Sequence, residues 1–242
     1  MPDQICTLLE WDSNFFGLRI ARLNRSRLDE LALEQALRWC RDQRINCLYF
    51  LADSADPGSL RLAEREHFLQ ADVRLTLERS LNNSVHHDPE EFVRPARVED
   101  LPALEAIAAR SHRDSRFYSD LNFDRAKCDL LYETWIRNSF HGFAEAMLVI
   151  ESRGHPAGYV TCHLREKGSQ IGLIGVAESE QGQGLATKLI QGFLAWSRRN
   201  DAERVTVMTQ GRNIAAQRLY QRCGFLTHSF QFWYHRWYSA AR

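Results

Sequence analysis

The stretch Gln181-Gly182-Gln183-Gly184-Leu185-Ala186 joins two glycines to amide side chains between two very different patterns. Before it, Ile171-Gly172-Leu173-Ile174-Gly175-Val176 reads as a short buried strand bounded by the turn-like Lys167-Gly168-Ser169. After it, Leu185, Leu189, Phe193 and Trp196 recur at helical spacing, with Lys188, Gln191 and Arg198 around the rest of the turn. Glycine lets a ligand approach the backbone closely, and the first amides of a helix have no partner within it. Those amides and the positive end of the helix dipole favour a phosphate or pyrophosphate. The alternative is a plain strand-to-helix turn in which the glycines only relieve crowding.

A second segment, Asn213-Ile214-Ala215-Ala216-Gln217-Arg218-Leu219-Tyr220-Gln221-Arg222-Cys223-Gly224-Phe225, follows the strand-like Arg204–Thr209 and reads as a helix capped by Asn213 and stopped by Gly224. Tyr220 lies two turns beyond Asn213 on nearly the same side. The pair of patterns, Gln-x-x-Gly-x-Ala before one helix and Asn-x-x-Ala-x-x-x-Tyr-x-x-x-Gly-Phe after the next strand, resembles the GCN5-related N-acetyltransferases over roughly Phe92 to Tyr238. The resemblance implies a GNAT fold with a mixed central sheet and acetyl-coenzyme A as the acetyl donor. It implies that Gln181, Gly182, Gln183, Gly184, Ala186 and Thr187 hold the pyrophosphate. The preceding strand would splay from its neighbour, leaving Ile174 and Val176 beside the pantetheine arm. Asn213 would lie near the cofactor, and the Tyr220 hydroxyl would face the thioester sulfur. Read from the residues alone, Asn213 also suits a helix cap, and Tyr220 a core aromatic with a satisfied hydroxyl.

Outside these motifs, Leu9–Gly17, Ser115-Arg116-Phe117-Tyr118 and Tyr132-Glu133-Thr134-Trp135-Ile136 resemble the nucleotide-sugar acetyltransferases. The acceptor this implies is the amine of a dTDP-linked 4-amino-4,6-dideoxy sugar. Such an acceptor needs a cation for its diphosphate and aromatic surface for base or sugar. Arg116, Phe117, Tyr118 and Trp135 offer those chemistries, and a solvated arginine with two core aromatics is the competing reading. Adjacent aromatics ending at Gly17 suggest a packed turn. Direct attack of a neutral amine requires a stabilised oxyanion, for which an amide beside Val176 serves, and an acid for the leaving sulfur, for which Tyr220 serves. The base stays open among His163, Glu178 and water, because Ile171–Val176 contains no carboxylate. Acetylation of another amine, or coenzyme A binding without turnover, are the competing functions.

The elements that must position these residues fall into two halves. Strands are expected at Cys6–Leu9, Leu18–Leu23, Cys47–Ala52 and Val73–Leu81, with helices near Leu28–Cys40 and Ser59–His67. The polar, turn-rich stretch from Asn82 to Pro89 suggests a linker, so residues 1–87 are read as a smaller mixed α/β domain for acceptor recognition or packing and residues 88–242 as the acetyltransferase domain. In the second half a strand at Phe92–Ala96, a helix capped by Asp100, a helix over Phe123–Phe140 and an antiparallel meander precede the two motifs. The 242 residues, 44% of them apolar, suffice for such a core. Lys plus Arg and Asp plus Glu are equal at 31 each, which argues against a dedicated nucleic-acid binder. Six dispersed cysteines lack metal-ligand or redox spacing and read as reduced thiols, so no metal is expected. The lack of a leader or a bilayer-length apolar run points to a cytoplasmic protein without membrane partners. The aromatic end Phe230–Tyr238 reads as internal strand or interface, and a homodimer is expected.

Overall fold

The structure, a computed structural model, describes residues 4–81, 93–166 and 168–238. The boundary expected near His87 and the linker around it lie outside the described residues. The chain forms two compact units, each discontinuous in sequence. The first comprises Met1–Arg74, Ser115–Lys127 and Phe230–Arg242, and the second Leu75–Asp114 and Cys128–Ser229.

In the first unit, strands β1 (Cys6–Leu8), β2 (Ile20–Leu23) and β3 (Cys47–Asp53) alternate with helices α1 (Glu10–Phe16), α2 (Glu30–Asp42) and α3 (Pro57–Arg65). The strand order is β1-β2-β3-β10-β4, where β4 is Leu69–Ser80 and β10 is Leu226–Trp237. β2 and β3 are parallel and joined through α2, while β1 runs antiparallel to β2 and β10 antiparallel to β3. Asp29 starts α2 by accepting the Ala32 amide at 2.7 Å, and Pro57 occupies the first turn of α3, where its missing N–H costs nothing. Leu48, Phe50 and Ala52 of β3, Tyr234 of β10 and Leu33 and Ala36 of α2 form this unit's core. Trp11–Gly17 is a helix rather than the expected turn; Gly17, at φ 69°, closes it by donating its amide to Ser13. The aromatic strand β10 is interior, between β3 and β4, with Tyr234 2% exposed in the core, Phe232, Trp233 and Trp237 half-buried and Phe230 exposed.

In the second unit the order is β4-β9-β8-β7-β6-β5, with β5 at Val93–Pro95, β6 at Ala146–Ser152, β7 at His155–Arg165, β8 at Gly168–Val176 and β9 at Arg204–Gln210. β5 to β8 form the antiparallel meander, and β8 pairs parallel to β9, so the sheet is mixed as expected. Helix α4 (Leu101–Ser111) packs on β7 and β8, and α7 (Leu185–Arg199) packs on β5 to β8. Leu189, Ile190 and Phe193 of α7 meet Leu148, Val160 and Val205 of the sheet in the main core. Helix α8 (Ile214–Arg222) belongs to this unit, α5 (Arg116–Ser119) to the first, and α6 (Arg125–Asn138) has its first residues in the first unit and the rest in the second. Asp100 does not cap α4. A short 3-10 turn, Val98–Asp100, precedes that helix, and the Asp100 carboxylate is taken by the Arg97 amide and by both arms of Arg94, at 2.7 and 2.8 Å.

Candidate active site

The site begins with an irregularity in β8. β7 and β8 are in register at Cys162–Ile171 and again at Val160–Ile174, so β8 carries one residue more than β7 between those points. This bulge falls at Gly172–Leu173, and Thr161 Oγ1 accepts the displaced Leu173 amide at 2.8 Å. Glycine is required here, because a Cβ on Gly172 would stand 2.3 Å from His163 Nε2 and 2.7 Å from Thr161 Oγ1. Parallel pairing of β8 with β9 stops at Ile171–Val207, just before the bulge. From Gly172 to Val176 the edge of β8 that would face β9 therefore has no strand partner, and its backbone groups are left for a ligand.

A cleft of about 440 Å³ opens there. Ile174, Gly175 and Val176 of β8 form one wall, the α7 start (Gly182, Gly184, Ala186 and Thr187) another, and Ala216, Leu219 and Tyr220 of α8 a third. Gly182 and Gly184 both adopt φ 79°, the left-handed region that glycine enters without strain. Gly184 is the residue before α7 and has no side chain to cap it, so the first amides of that helix stay open to an anion. Tyr220 is 3% exposed, and its hydroxyl has no hydrogen-bond partner among the described residues. Burial, with Cys223 nearby, pushes the phenol above its usual pKa, so it holds its proton at neutral pH.

Of the residues read from the sequence as cofactor-binding, Ile174, Val176, Gln181, Gly182, Gly184, Ala186 and Thr187 line this cleft with Tyr220. Gln183 instead donates to Glu180 at 3.1 Å, and Asn213 caps α8 by accepting the Ala216 amide at 3.0 Å. Glu180, Arg222 and Ser111 also line the cleft and were not singled out. Arg222 was legible as a cation two residues beyond Tyr220, whereas nothing local marks Ser111, which arrives from the end of α4.

The acceptor residues divide between the units. Arg116, Phe117 and Tyr118 belong to the first and Trp135 to the second. Phe117, 4% exposed, stacks with Phe16 at 5.4 Å and is core. Tyr118 carries the Arg125 guanidinium 5.0 Å from its ring, and Trp135 meets Tyr132 edge-on at 5.2 Å. Arg116 lies between rings, its Cζ 4.2 Å from the Tyr49 centroid and 4.5 Å from that of Trp233. Neither base candidate lines the cleft: Glu178 is exposed in a 3-10 turn, and His163 is 6% exposed against Thr161. Burial and Arg165 lower the His163 pKa, against the pull of Glu145. Beneath the β8 wall, His112 Nε2 lies 2.8 Å from Tyr159 Oη, itself 3.0 Å from where a Cβ on Gly175 would stand. No group of His, Cys, Asp and Glu able to hold a metal occurs among the described residues.

A mixed sheet with a bulged, splayed β8, a glycine-opened helix start and a tyrosine across the gap defines an acetyltransferase of the GNAT type. The chain belongs to the Acetyltransferase (GNAT) family, whose model matches residues 104–225, and is an N-acetyltransferase. It is similar to the spore coat polysaccharide biosynthesis protein SpsD of Bacillus subtilis, 27% identical over 143 residues, which cover 59% of this chain but only half of that protein's length. It is also similar to the dTDP-fucosamine acetyltransferase of Escherichia coli O6:H1, 27% identical over 94% of this chain and 96% of that one. A GCN5-related N-acetyltransferase from Sphaerobacter thermophilus shares the fold, with a TM-score of 0.67 at 15% identity over 96% of this chain and 76% of its own. No helix among the described residues is long and apolar enough to cross a membrane.

Proposed function

We propose that the protein moves an acetyl group from acetyl-coenzyme A to the amine of a nucleotide-linked amino sugar, a dTDP-4-amino-4,6-dideoxy sugar. The observation that carries the chemistry is the cleft in which the open helix start at Gly184 and the unpartnered Tyr220 hydroxyl share one space with the unpaired edge of β8. The full-length similarity to a dTDP-fucosamine acetyltransferase supports the acceptor class.

In this reading the α7 amides hold the coenzyme A pyrophosphate, and the free backbone edge at Ile174 and Val176 pairs with the pantetheine arm. The neutral amine attacks the acetyl carbonyl, forming the C–N bond, and a backbone amide near Val176 stabilises the oxyanion. As the tetrahedral intermediate collapses, the C–S bond breaks, and Tyr220 gives its proton to the departing thiolate. Water takes the surplus proton of the amine and a proton returns through it to the Tyr220 phenolate, restoring the phenol, since neither His163 nor Glu178 lines the cleft. Arg116 of the first unit is the candidate for the diphosphate of the acceptor, with Tyr118 of that unit as aromatic surface, and Trp135 of the second unit is a separate candidate for acceptor contact. No metal is needed in this chemistry.

Mass spectrometry of purified protein with acetyl-coenzyme A and a panel of amino-sugar nucleotides, peptides and polyamines tests donor, acceptor and chemistry together. A gain of one acetyl group on the dTDP-amino sugar is expected. Acetylation of a peptide or polyamine alone would replace the acceptor, and tight coenzyme A binding without transfer to any amine would make the protein a sensor.

A further inference from the structure

The first unit holds a group of cations that the acetyl-transfer cleft does not use. Arg22 on β2 is the register partner of Tyr49 on β3, and Tyr49 that of His235 on β10. Register partners point to the same face of a sheet, as do residues two apart on one strand, so Arg22, Tyr49, His235, Trp233 and Gln231 share a face. Arg116 lies over that face between the Tyr49 and Trp233 rings, with Nη1 3.0 Å from His235 Nε2. Arg74, on the adjoining β4, sets its Cζ 5.9 Å from the Trp233 centroid and donates Nη2 to Gln231 Oε1 at 2.7 Å. Two guanidinium groups from separate chain segments thus meet one row of rings, and Arg22 comes from the same face of the sheet.

None of the three forms an ion pair among the described residues. The acid that their fields reach most directly is Asp12 of α1, whose burial raises its carboxyl pKa against the pull of Arg116 and Arg22, and it forms no ion pair with either among the described residues. Asp120 is separated from Arg116 by the His235 ring. Burial and repulsion from Arg116 and Arg22 lower the Arg74 pKa, as expected of a cation crowded by its own kind. Two buried donors in the same group, Arg74 Nε and Tyr49 Oη, lack an acceptor. A buried donor without an acceptor is costly, and uncompensated like charges add to that cost. A ligand that is anionic and rich in acceptor oxygens removes both penalties together, and guanidinium forks match phosphoryl oxygens in particular.

We infer that Arg22, Arg74 and Arg116 form a binding site for the diphosphate of a nucleotide, with Tyr49 Oη and Arg74 Nε as further donors. Arg22 is exposed at the outer end of the row and receives the anion from solvent. The identity of the diphosphate carrier rests on the acceptor reading above; the site itself does not.

Calorimetry on the full chain presaturated with coenzyme A, so that the α7 start is occupied, tests the site with inorganic pyrophosphate and with thymidine diphosphate. One equivalent of each should bind in low salt, and Arg22→Gln and Arg74→Gln should each weaken binding about tenfold or more, since each removes a charge-assisted bond. Absence of binding to the wild-type chain, or unchanged affinity in both folded variants, would overturn the site. Arg22 is exposed, so R22Q keeps the test open should R74Q fail to fold. If pyrophosphate binds as expected but no amino-sugar nucleotide is acetylated, the acceptor reading fails and the anion site stands. If a nucleotide sugar is acetylated with an unchanged acceptor KM in both variants, the acceptor reading stands and the site falls.

Discussion

His235 Nδ1 stands 2.6 Å from Asp120 Oδ2, with both side chains almost wholly removed from solvent. The other ring nitrogen faces Arg116 Nη1 at 3.0 Å. An arginine can only donate, so Nε2 must accept and the ring proton sits on Nδ1, pointing at the carboxylate. Trp237 Nε1 gives Asp120 a second bond at 2.8 Å. A neutral imidazole therefore spans a cation and an anion and holds the Arg116 guanidinium in place. Burial alone would raise the Asp120 carboxyl, but the bonds from His235, Trp237 and the Asn122 amide overcome it and hold the pKa at about 2.

Replacing Asp120 with Asn removes the charge and leaves an amide N–H2 facing donors. The expected cost is about 3 kcal/mol, within the range for breaking a buried charged network. For a chain of this size that is a fall in Tm of roughly 6–12 °C. Thermal unfolding followed by circular dichroism measures it; a change below 2 °C would show that the network contributes little to stability.

Acid should weaken the fold through two buried histidines. Burial lowers His112 to about 4, and burial also lowers His235 to about 4, with the Asp120 bond opposing and Arg116 adding to the shift. Both folded-state values lie below the ordinary histidine pKa of about 6.5, so the unfolded chain binds more protons between the two values. Stability is then full above pH about 6.5 and falls as the pH drops towards 4, by up to about 3 kcal/mol for each ring. Denaturant titrations at a series of pH values read the slope, and a flat profile from pH 7 to 4.5 would contradict it.

At the cleft, Tyr220→Phe keeps the ring and removes the only hydroxyl that α8 offers there. Loss of a positioned general acid typically costs a factor of about 10² to 10⁴ in rate. Turnover should fall at least a hundredfold, with acetyl-coenzyme A affinity within about twofold, because the pyrophosphate contacts proposed above lie on α7. Steady-state kinetics and calorimetry separate the two, and undiminished kcat would remove Tyr220 from the mechanism.

Gly172→Ala places a methyl group 2.3 Å from the His163 ring and 2.7 Å from the Thr161 hydroxyl that accepts the Leu173 amide. The bulge must shift or His163 must leave. Overpacking of this kind costs about 1–3 kcal/mol. Because the bulge ends the β8–β9 pairing, donor affinity should fall as well, by about tenfold. Thermal melting with coenzyme A titration checks both, and a variant with wild-type affinity would show that the splay does not depend on the bulge.

Much of the second unit was legible because its signals are local. The apolar spacing of Leu185, Leu189 and Phe193, the cap at Asn213 and the stop at Gly224 act within a few residues of each other, so their structural consequences follow from short-range geometry. Two readings missed on contacts only a few residues away, and one stayed open because its partners are distant in sequence. Asp100 looked like a cap until Arg94 claimed its carboxylate, and the residues before Gly17 looked like a turn until the helix formed around them. Arg116 could be read as solvated or functional, and neither its rings nor the His235 bond is visible within its own segment.

The amino-acid sequence by itself determined the family, the helix start at Gly184 and the tyrosine of α8, since glycine conformation, capping and helical periodicity are written in adjacent residues. Only the tertiary structure decided that β10 returns between β3 and β4, that β8 parts from β9 after Ile171, and that Arg22, Arg74 and Arg116 share one face. Strand register and the meeting of charges are set by pairing across long chain separations, where no single segment carries the information.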